Sequence, residues 1–530
     1  MAQLQFKGKT FVQNHHLLVK YHELVPVKAK SLTNKVSLHD NLIIHGDNLK
    51  ALKALLPMYT RKIKCVCIDP PYNTGNEGWA YNDNVTSPMM QEWLGKVVDR
   101  EDLTRHDKWL CMMMPRLKVI RELLSPEGTV FVHIDDIEVA RLRLLMDEIF
   151  GEERFIAQLC WKSRQNKDNR NITGVSIDHE YVLCYGERLR GADRNLEQFS
   201  NPDNDPRGPW TSGNMVGLAT EEARPNLHYD LVNPITGITY KKPKLGWRFD
   251  AKRMAGLIAD GRILWPADSK GRPRQKVFLS DFNQEFTGFS SMVGQDIYTR
   301  NGTAELEEIF GEKKFDFPKP SSLIKDFIAQ ATDKDSIVLD SFAGSGPTGQ
   351  AVLEQNAEDG GSRRFILIEC EDYADAITAE RIRRVIKGVP TAKDEALKNG
   401  LGGTFSFFEL GKAIELECIL DGGCLPSYRE LARYAFFTAT GEEFDAQAAD
   451  EKSHFIGESR TYQVFLFYVP DVEKLKSLAL TLDLAKALPP LKKDKRRLVF
   501  APTKFLDQEH LDHYRIDFAQ LPFEIYDLTR

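Results

Sequence analysis

The chain has 530 residues, 42% of them hydrophobic and 28% charged, with a formal net charge of −6 at pH 7. This size and balance exclude a disordered or fibrous polypeptide and suggest about three domains with a substantial core. A uniformly basic nucleic-acid coat is excluded as well, although a cationic cleft is a property of one face and stays open.

No run of about 18 apolar residues is present, so no transmembrane helix is expected. The N-terminal stretch MAQLQFKGKTFVQNHH lacks the apolar block of a secretory signal, which points to a cytoplasmic protein. The eight cysteines are scattered, with no CxxC pair and no Cys/His spacing suited to zinc, so no metal site is expected. Cys65 and Cys67 flank Val66 in an expected strand and are read as buried on one core side.

In chain order, NLIIHGDNLKALKALLPM (41–58) reads as strand, turn and helix, because Leu49, Leu52, Leu55 and Leu56 recur at helical spacing. KIKCVCI follows as a strand and ends in the corner DPPY, Asp69 to Tyr72. Residues 73–88 are polar and turn-rich and read as a loop. DKWLCMMMPRLKVIRELLS (107–125) is an expected helix, with Pro115 near a start or kink. GTVFVHI (128–134) is a near-continuous apolar strand, suited to a sheet covered on both faces, and IEVARLRLLMDEIF is a helix. Asp135 and Asp136 before that helix read as capping residues. This alternation implies an α/β fold with a parallel sheet.

From about residue 155 the rhythm breaks, and Gly, Pro, Asn and Asp interleave with aromatic and basic residues up to about 300. It resumes with a helix over SSLIKDFIAQA, the strand SIVLDSF, a glycine loop, the helix TGQAVLEQN, the strand RRFILIEC and the helix YADAITAERIRRVI. The expected organisation is an N-terminal extension (1–40), one half of an α/β domain (41–155), an irregular insert (156–305), the second half (306–392) and a small C-terminal α/β region (393–530). No chemistry is found in the last, and its basic run LKKDKRR (491–497) reads as a solvated face.

Two motifs carry chemistry. LDSFAGSGPTG (339–349) follows a strand and opens a helix, and Gly344, Gly346 and Gly349 satisfy GxGxxG. Glu369 ends the next strand, about 20 residues on, where an acid can bind a ribose diol. Alone, this motif fits a nicotinamide oxidoreductase equally well. DPPY lies about 270 residues earlier, also at the carboxyl end of an expected parallel strand. If the two strands are neighbours, both motifs open into one crevice.

DPPY followed by an insert and then FAGSG resembles the β-class amino DNA methyltransferases that use S-adenosylmethionine. DPPYNTGNEGWAYNDN, PRLKVIRELLSPEGTVFVHIDDIEVARLRLLMDEIFG, DHEYVLCY, NDPRGPW and FDFPKPSSLI resemble the modification (Mod) subunit of type III restriction–modification systems, over roughly residues 40–390. The resemblance implies a Rossmann-like methyltransferase domain interrupted by a target-recognition insert. It implies that Asp69 and the Pro70 carbonyl accept hydrogen bonds from the target amine, that Pro71 stiffens the corner and that Tyr72 stacks on an extruded base. For the cofactor it implies Phe342 on the adenine, Gly344 and Gly346 at the close approach and Glu369 on the ribose. Asp47 at the adenine end, Lys319 beside the methionine part, and Asp340 and Thr348 complete that set. Pro347 and Gln350 depart from the residues frequent in the family, but Pro347 can open a helix without losing a hydrogen bond.

Two acceptors aimed at an exocyclic amine localise its lone pair and stabilise the positive charge that develops on nitrogen. The target base must leave the duplex first. The expected activity is therefore adenine-N6 methylation of duplex DNA, with a homodimer and a helicase–nuclease (Res) partner implied by the resemblance. Cytosine-N4 methylation is the alternative, since SPPY is the commoner corner there. An NAD-dependent oxidoreductase, a non-catalytic DNA-binding subunit, and an RNA or protein methyltransferase are the other readings. Within the insert, Lys162, Arg164, Lys167 and Arg170, then Lys241, Lys242, Lys244 and Arg248 beside Trp247, then Arg272, Arg274 and Lys276 form basic clusters suited to phosphates. For any single lysine, a solvated surface charge is the competing reading. Tyr72 as a core aromatic and Asp47 as a helix cap also stay open.

Overall fold

The computed structural model describes residues 4–73, 105–168, 174–282, 286–413, 425–440, 442, 444–471, 474–475 and 477–521. They divide into two compact units, 190–289 and the remainder. The larger unit is built on a ten-stranded sheet. Its strands are β1 (His22–Pro26), β2 (Leu42–His45), β3 (Ile63–Ile68), β4 (Leu124–Ile134), β5 (Phe155–Trp161), β6 (Glu180–Tyr185), β7 (Met292–Val293), β8 (Ile337–Asp340), β9 (Arg364–Glu369) and β10 (Ser406–Ala413). The spatial order is β1-β10-β2-β9-β8-β3-β4-β6-β5-β7. The six strands from β10 to β4 run parallel, while β1 and β6 oppose their neighbours.

Helices α1 (Asn48–Tyr59), α2 (Arg105–Leu123) and α3 (Val139–Phe150) pack together; α4 (Thr299–Phe310), α5 (Ser321–Ala331), α6 (Pro347–Asp359) and α7 (Glu380–Lys387) form a second group. Strand alternation sorts side chains between the two layers. Val66, Ile68, Val130, Val132 and Ile134 join the core shared with the first group. Phe131, on the opposite face of β4, stacks on Phe327 of α5 with ring centroids 4.8 Å apart. Cys65 and Cys67 share that second face, with their sulfurs 3.6 Å apart and both buried, as their spacing implied. Asp69 extends the same alternation past the end of β3. This is a Rossmann-like α/β fold, the class the sequence pattern implied.

The sheet order creates the site. β8 pairs directly with β3, so strands far apart in sequence lie side by side. The chain leaves β3 toward α2 in one helical layer and leaves β8 toward α6 in the other. Divergence of this kind opens a crevice at the carboxyl ends of the two strands.

Other differences from the expected organisation have simple causes. β1, within the expected N-terminal extension, pairs with β10. β5 and β6 continue the large sheet, so the compact second unit, 190–289, is narrower than the 156–305 span suggested by composition. Pro115 stands inside α2, where it removes one helical hydrogen bond. Toward the C-terminus, β11 (Phe455–Glu458), β12 (Tyr462–Leu466), β13 (Arg496–Ala501) and β14 (Ile516–Gln520) form a separate four-stranded sheet, with β12 to β14 parallel. It has its own apolar clusters, yet it belongs to the larger compact unit.

The 190–289 unit holds a three-stranded antiparallel sheet, from residues 210–213, 263–264 and 274–278. Its core gathers Met215, Leu231, Tyr240, Trp247, Met254, Leu257 and Ile263. Trp247 is therefore a core residue rather than a surface companion of the nearby lysines.

Candidate functional site

Asp69 stands just beyond β3, and its carboxylate meets groups from distant parts of the chain. Lys319 Nζ donates to Asp69 Oδ2 at 2.8 Å. The same ammonium lies 3.4 Å from Glu180 Oε2, and Tyr72 donates its hydroxyl to that oxygen at 2.9 Å. Lys319 also lies over the Tyr72 ring, 4.9 Å from its centroid. Asp69 Oδ1 is buried and has no hydrogen-bond partner among the described residues. Burial pushes the Asp69 carboxyl up, but the Lys319 ammonium and its hydrogen bond outweigh this and hold it below the usual carboxylate range. The corner therefore carries an ionised acceptor with one oxygen uncommitted.

The prolines are held as well as stiff. Trp109 of α2, fully buried, donates its indole N–H to the Pro71 carbonyl at 2.6 Å. Asn73 takes a left-handed backbone (φ 61°), and its side-chain amide donates to the buried Glu138. His133 of β4 neighbours Asp69 on the adjacent strand. It is buried, neither ring nitrogen finds a partner among the described residues, and burial lowers it to about 4, so the ring is neutral.

The glycine loop after β8 forms the second half. Asp340 ends the strand and accepts from Phe342 N–H at 3.0 Å and from the Thr348 hydroxyl at 2.6 Å, which ties the loop to α6. Gly344 and Gly346 take left-handed backbones (φ 52° and 84°) that side chains strain to adopt. Pro347 is the first residue of α6, where its missing N–H costs nothing. Glu369 ends β9 and accepts from Gly344 N–H at 2.7 Å and Glu371 N–H at 3.0 Å. Burial pushes both Asp340 and Glu369 up to about 7, and Asp69 and Glu369 add to the rise at Asp340. With loop amides already given to Glu369 and carboxylates clustered around it, this end suits a cationic ligand bearing hydroxyl donors. A pyrophosphate would meet repulsion in place of the free amides it requires.

A profile of the DNA methylase family matches residues 63–380, more than half of the chain. The chain belongs to the N6/N4 DNA methylase family. It is 32% identical over 435 residues to the StyLTI Mod subunit, a type III restriction–modification enzyme of Salmonella typhimurium, covering 76% of this chain and 65% of that protein. The EcoP15I Mod subunit of Escherichia coli is 30% identical, with 67% and 64% covered. The type II methyltransferase M.KpnI of Klebsiella pneumoniae is 31% identical, with 66% and 85% covered. The match thus spans just under two thirds of the length of those two Mod subunits.

Within this methylase, the two motifs come together at one sheet edge. Asp69, Pro70, Pro71 and Tyr72 line the end of β3, while Asp340, Phe342, Gly344, Gly346 and Thr348 occupy the loop after the adjacent β8, with Glu369 beyond. Phe342 is buried in the core face of that loop. Asp47 lies at the start of α1 and caps it by accepting from Lys50 N–H at 2.9 Å, 3.5 Å from the Arg116 guanidinium. Lys319, expected beside the methionine part of the cofactor, has its ammonium on Asp69. Asp135 accepts from Ile137 N–H at 2.9 Å in the turn before α3 and is not the N-cap.

Several functional side chains escaped the sequence reading. Glu180 sits in the DHEY segment, next to His179, which makes a local contact to the Tyr181 hydroxyl at 2.8 Å. Asn48 donates to the Ser341 carbonyl at 3.0 Å and accepts from Arg116, joining α1 to the glycine loop. Gln350 anchors a buried network, donating to Glu305 and Glu354 and accepting from Arg381 at 2.9 Å. Many expected phosphate ligands already have carboxylate partners: Arg164 with Asp168, Lys241 with Asp230, Lys242 with Glu221, Lys276 with Asp203 and Asp205. Arg170 lies outside the described residues. In the C-terminal run, Lys492 and Lys495 both pair with Glu458.

Proposed function

We propose that this methylase transfers a methyl group from S-adenosylmethionine to the N6 of an adenine flipped out of duplex DNA, as the modification subunit of a type III restriction–modification system. The observation that carries the reading is Asp69 Oδ1, buried and without a hydrogen-bond partner among the described residues, at the end of the strand that neighbours the acidic glycine loop. The similarity to two type III Mod subunits supports the system-level part. A homodimer, a Res partner and target recognition by residues of the insert, including the 190–289 unit, belong to the same reading.

The fit to the cofactor rests on chemistry present in the chain. Glu369 has the acceptor character a ribose diol needs, and Asp69, Asp340 and Glu369 give the crevice the negative charge that suits a sulfonium. Gly344 and Gly346 leave room at the loop, with Phe342, Asp47 and Thr348 around it. When bound, S-adenosylmethionine supplies an electrophilic methyl group. Asp69 Oδ1 and the Pro70 carbonyl receive the two N–H groups of the target amine, directing its lone pair away from the ring system. The Asp69 charge would stabilise the cation on nitrogen as the N–C bond forms and the methyl–sulfur bond breaks with its electron pair left on sulfur, after which the nitrogen would release one proton to water. The fixed corner supplies alignment without a nucleophilic side chain. Tyr72 stacks on the extruded base, offsetting part of the flipping cost by roughly 1–3 kcal/mol.

Tritium transfer from S-adenosylmethionine by the purified chain, with duplex DNA, RNA and protein offered as acceptors, tests the activity. Modification-aware sequencing of DNA from cells expressing this chain alone then reports base, site and strand. Cytosine-N4 methylation in that readout would replace adenine-N6. Tight NAD binding without S-adenosylmethionine binding would replace the reading altogether.

A further inference from the structure

Lys319 has the surroundings of a counter-ion. Its ammonium sits between two carboxylates, Asp69 at 2.8 Å and Glu180 at 3.4 Å, and faces two rings, Tyr72 at 4.9 Å and Trp161 at 5.9 Å. The four polar groups, Asp69, Tyr72, Glu180 and Lys319 itself, come from four places: the end of β3, the corner, the first residue of β6 and the segment before α5. The Lys319 backbone is held on every side. Pro318 and Pro320 flank it, and Gly302 of α4 packs so close that a Cβ there would lie 2.2 Å from the Pro318 carbonyl oxygen. Ser321, two residues on, is fixed by Glu305 through its N–H at 3.1 Å.

We propose that Lys319 and Glu180 form a positioning couple for the amine-accepting corner: Lys319 binds Asp69 Oδ2 and so leaves Oδ1 for the target amine, while Glu180 holds Lys319 and the Tyr72 hydroxyl together. The inference rests on reading the corner as an amine acceptor. Asp69 and Glu180 bring two negative charges and Lys319 one positive, so the corner is left with one net negative charge to meet the cation formed on nitrogen. Without the ammonium, two neighbouring carboxylates would share a buried site, and one would hold a proton at neutral pH. A protonated Asp69 is a weaker acceptor for the amine and has no charge with which to stabilise the cation on nitrogen. The couple thereby fixes both the charge and the orientation of Asp69. The other groups acting on Asp69 are the neutral His133, the Tyr72 phenol and the Asp340 carboxyl.

The test compares the full chain with K319M, K319R and E180Q, measuring the pH dependence of kcat for methyl transfer, KM for DNA and the Kd of S-adenosylmethionine by calorimetry. For K319M, kcat at neutral pH falls by about 100-fold, its acid limb moves to higher pH, and activity returns in part under alkaline conditions. Cofactor affinity stays within about threefold, because the ammonium serves Asp69. K319R recovers part of the loss. E180Q keeps the acid limb at or below that of the parent but raises KM for DNA, since the Tyr72 hydroxyl loses its charged acceptor. An unmoved acid limb in K319M, or a more than tenfold loss of cofactor affinity with kcat preserved, overturns the couple and returns Lys319 to the cofactor. A parent chain that binds cofactor but methylates no acceptor overturns the amine-acceptor reading itself, a failure visible without any variant.

Discussion

Gly302→Ala is the sharpest perturbation the fold offers, because it acts on the site without touching it. Gly302 lies in α4 and is buried against the backbone of residues 318–320. An added Cβ would stand 2.2 Å from Pro318 O, 2.9 Å from Lys319 C and 2.9 Å from Pro320 N. These are backbone atoms, so no rotamer change relieves them, and the flanking prolines resist local adjustment. The segment must retreat by roughly 1 Å, and misplacement on that scale costs up to about 100-fold in rate. The Lys319 Nζ to Asp69 Oδ2 contact, now 2.8 Å, would then exceed hydrogen-bond reach. Single-turnover methyl transfer should slow by about 10- to 100-fold, with the secondary structure seen by circular dichroism preserved. A variant that folds with unchanged melting temperature and a rate within twofold of the parent would refute the claim that α4 positions Lys319.

Trp109→Phe removes the indole hydrogen bond to the Pro71 carbonyl; stability should drop by about 1 kcal/mol and kcat by about fivefold, read from denaturant melts and steady-state assays. Tyr72→Phe should cost little in stacking, whereas Tyr72→Ala should raise KM for DNA by roughly 10- to 100-fold, checked with duplexes carrying a mismatched target base that is easier to flip. The pH dependence of cofactor binding follows from Asp340 and Glu369, both raised to about 7 in the ligand-free chain. Their folded values exceed the unfolded ones, so the ligand-free chain loses stability as pH rises through about 7. The ionised carboxylates attract a sulfonium, so affinity for S-adenosylmethionine and its thermal stabilisation should both increase from pH 6 to pH 8. Equal affinity at the two pH values in calorimetry would contradict this.

Local patterns carried much of the fold. Leu49, Leu52, Leu55 and Leu56 mark α1 by spacing alone, and all four are buried. The runs KIKCVCI and GTVFVHI mark strands covered on both faces, and the small residues of FAGSG mark a turn that must take left-handed backbone. The corner and the loop were therefore readable one at a time. Their meeting depends on β8 lying beside β3, which is a property of sheet order that no local window contains. The same limit hid Glu180, Trp109 and Gly302. Glu180 opens an ordinary strand, Trp109 lies in an apolar helix, and Gly302 looks like a weak point in α4 until the backbone packed against it is known. The partners of the basic clusters were hidden in the same way, because Asp230, Glu221 and Asp203, which pair with their lysines, lie 11 to 73 residues away.

The sheet order also has a consequence during synthesis. β2 and β3 are made early, yet in the finished sheet they are separated by β9 and β8, which emerge about 270 residues later. At translation rates of about 5–20 residues per second, the gap stays open for roughly 15–60 s. During that interval the facing edges of β2 and β3 have no partners, and both are apolar strands buried in the final fold. The nascent chain must either delay collapse of its first half or shield those two edges until the second half arrives. A ribosome stalled within the insert would leave a fragment with the DPPY corner but without the glycine loop, its two apolar strand edges open to pairing with another chain.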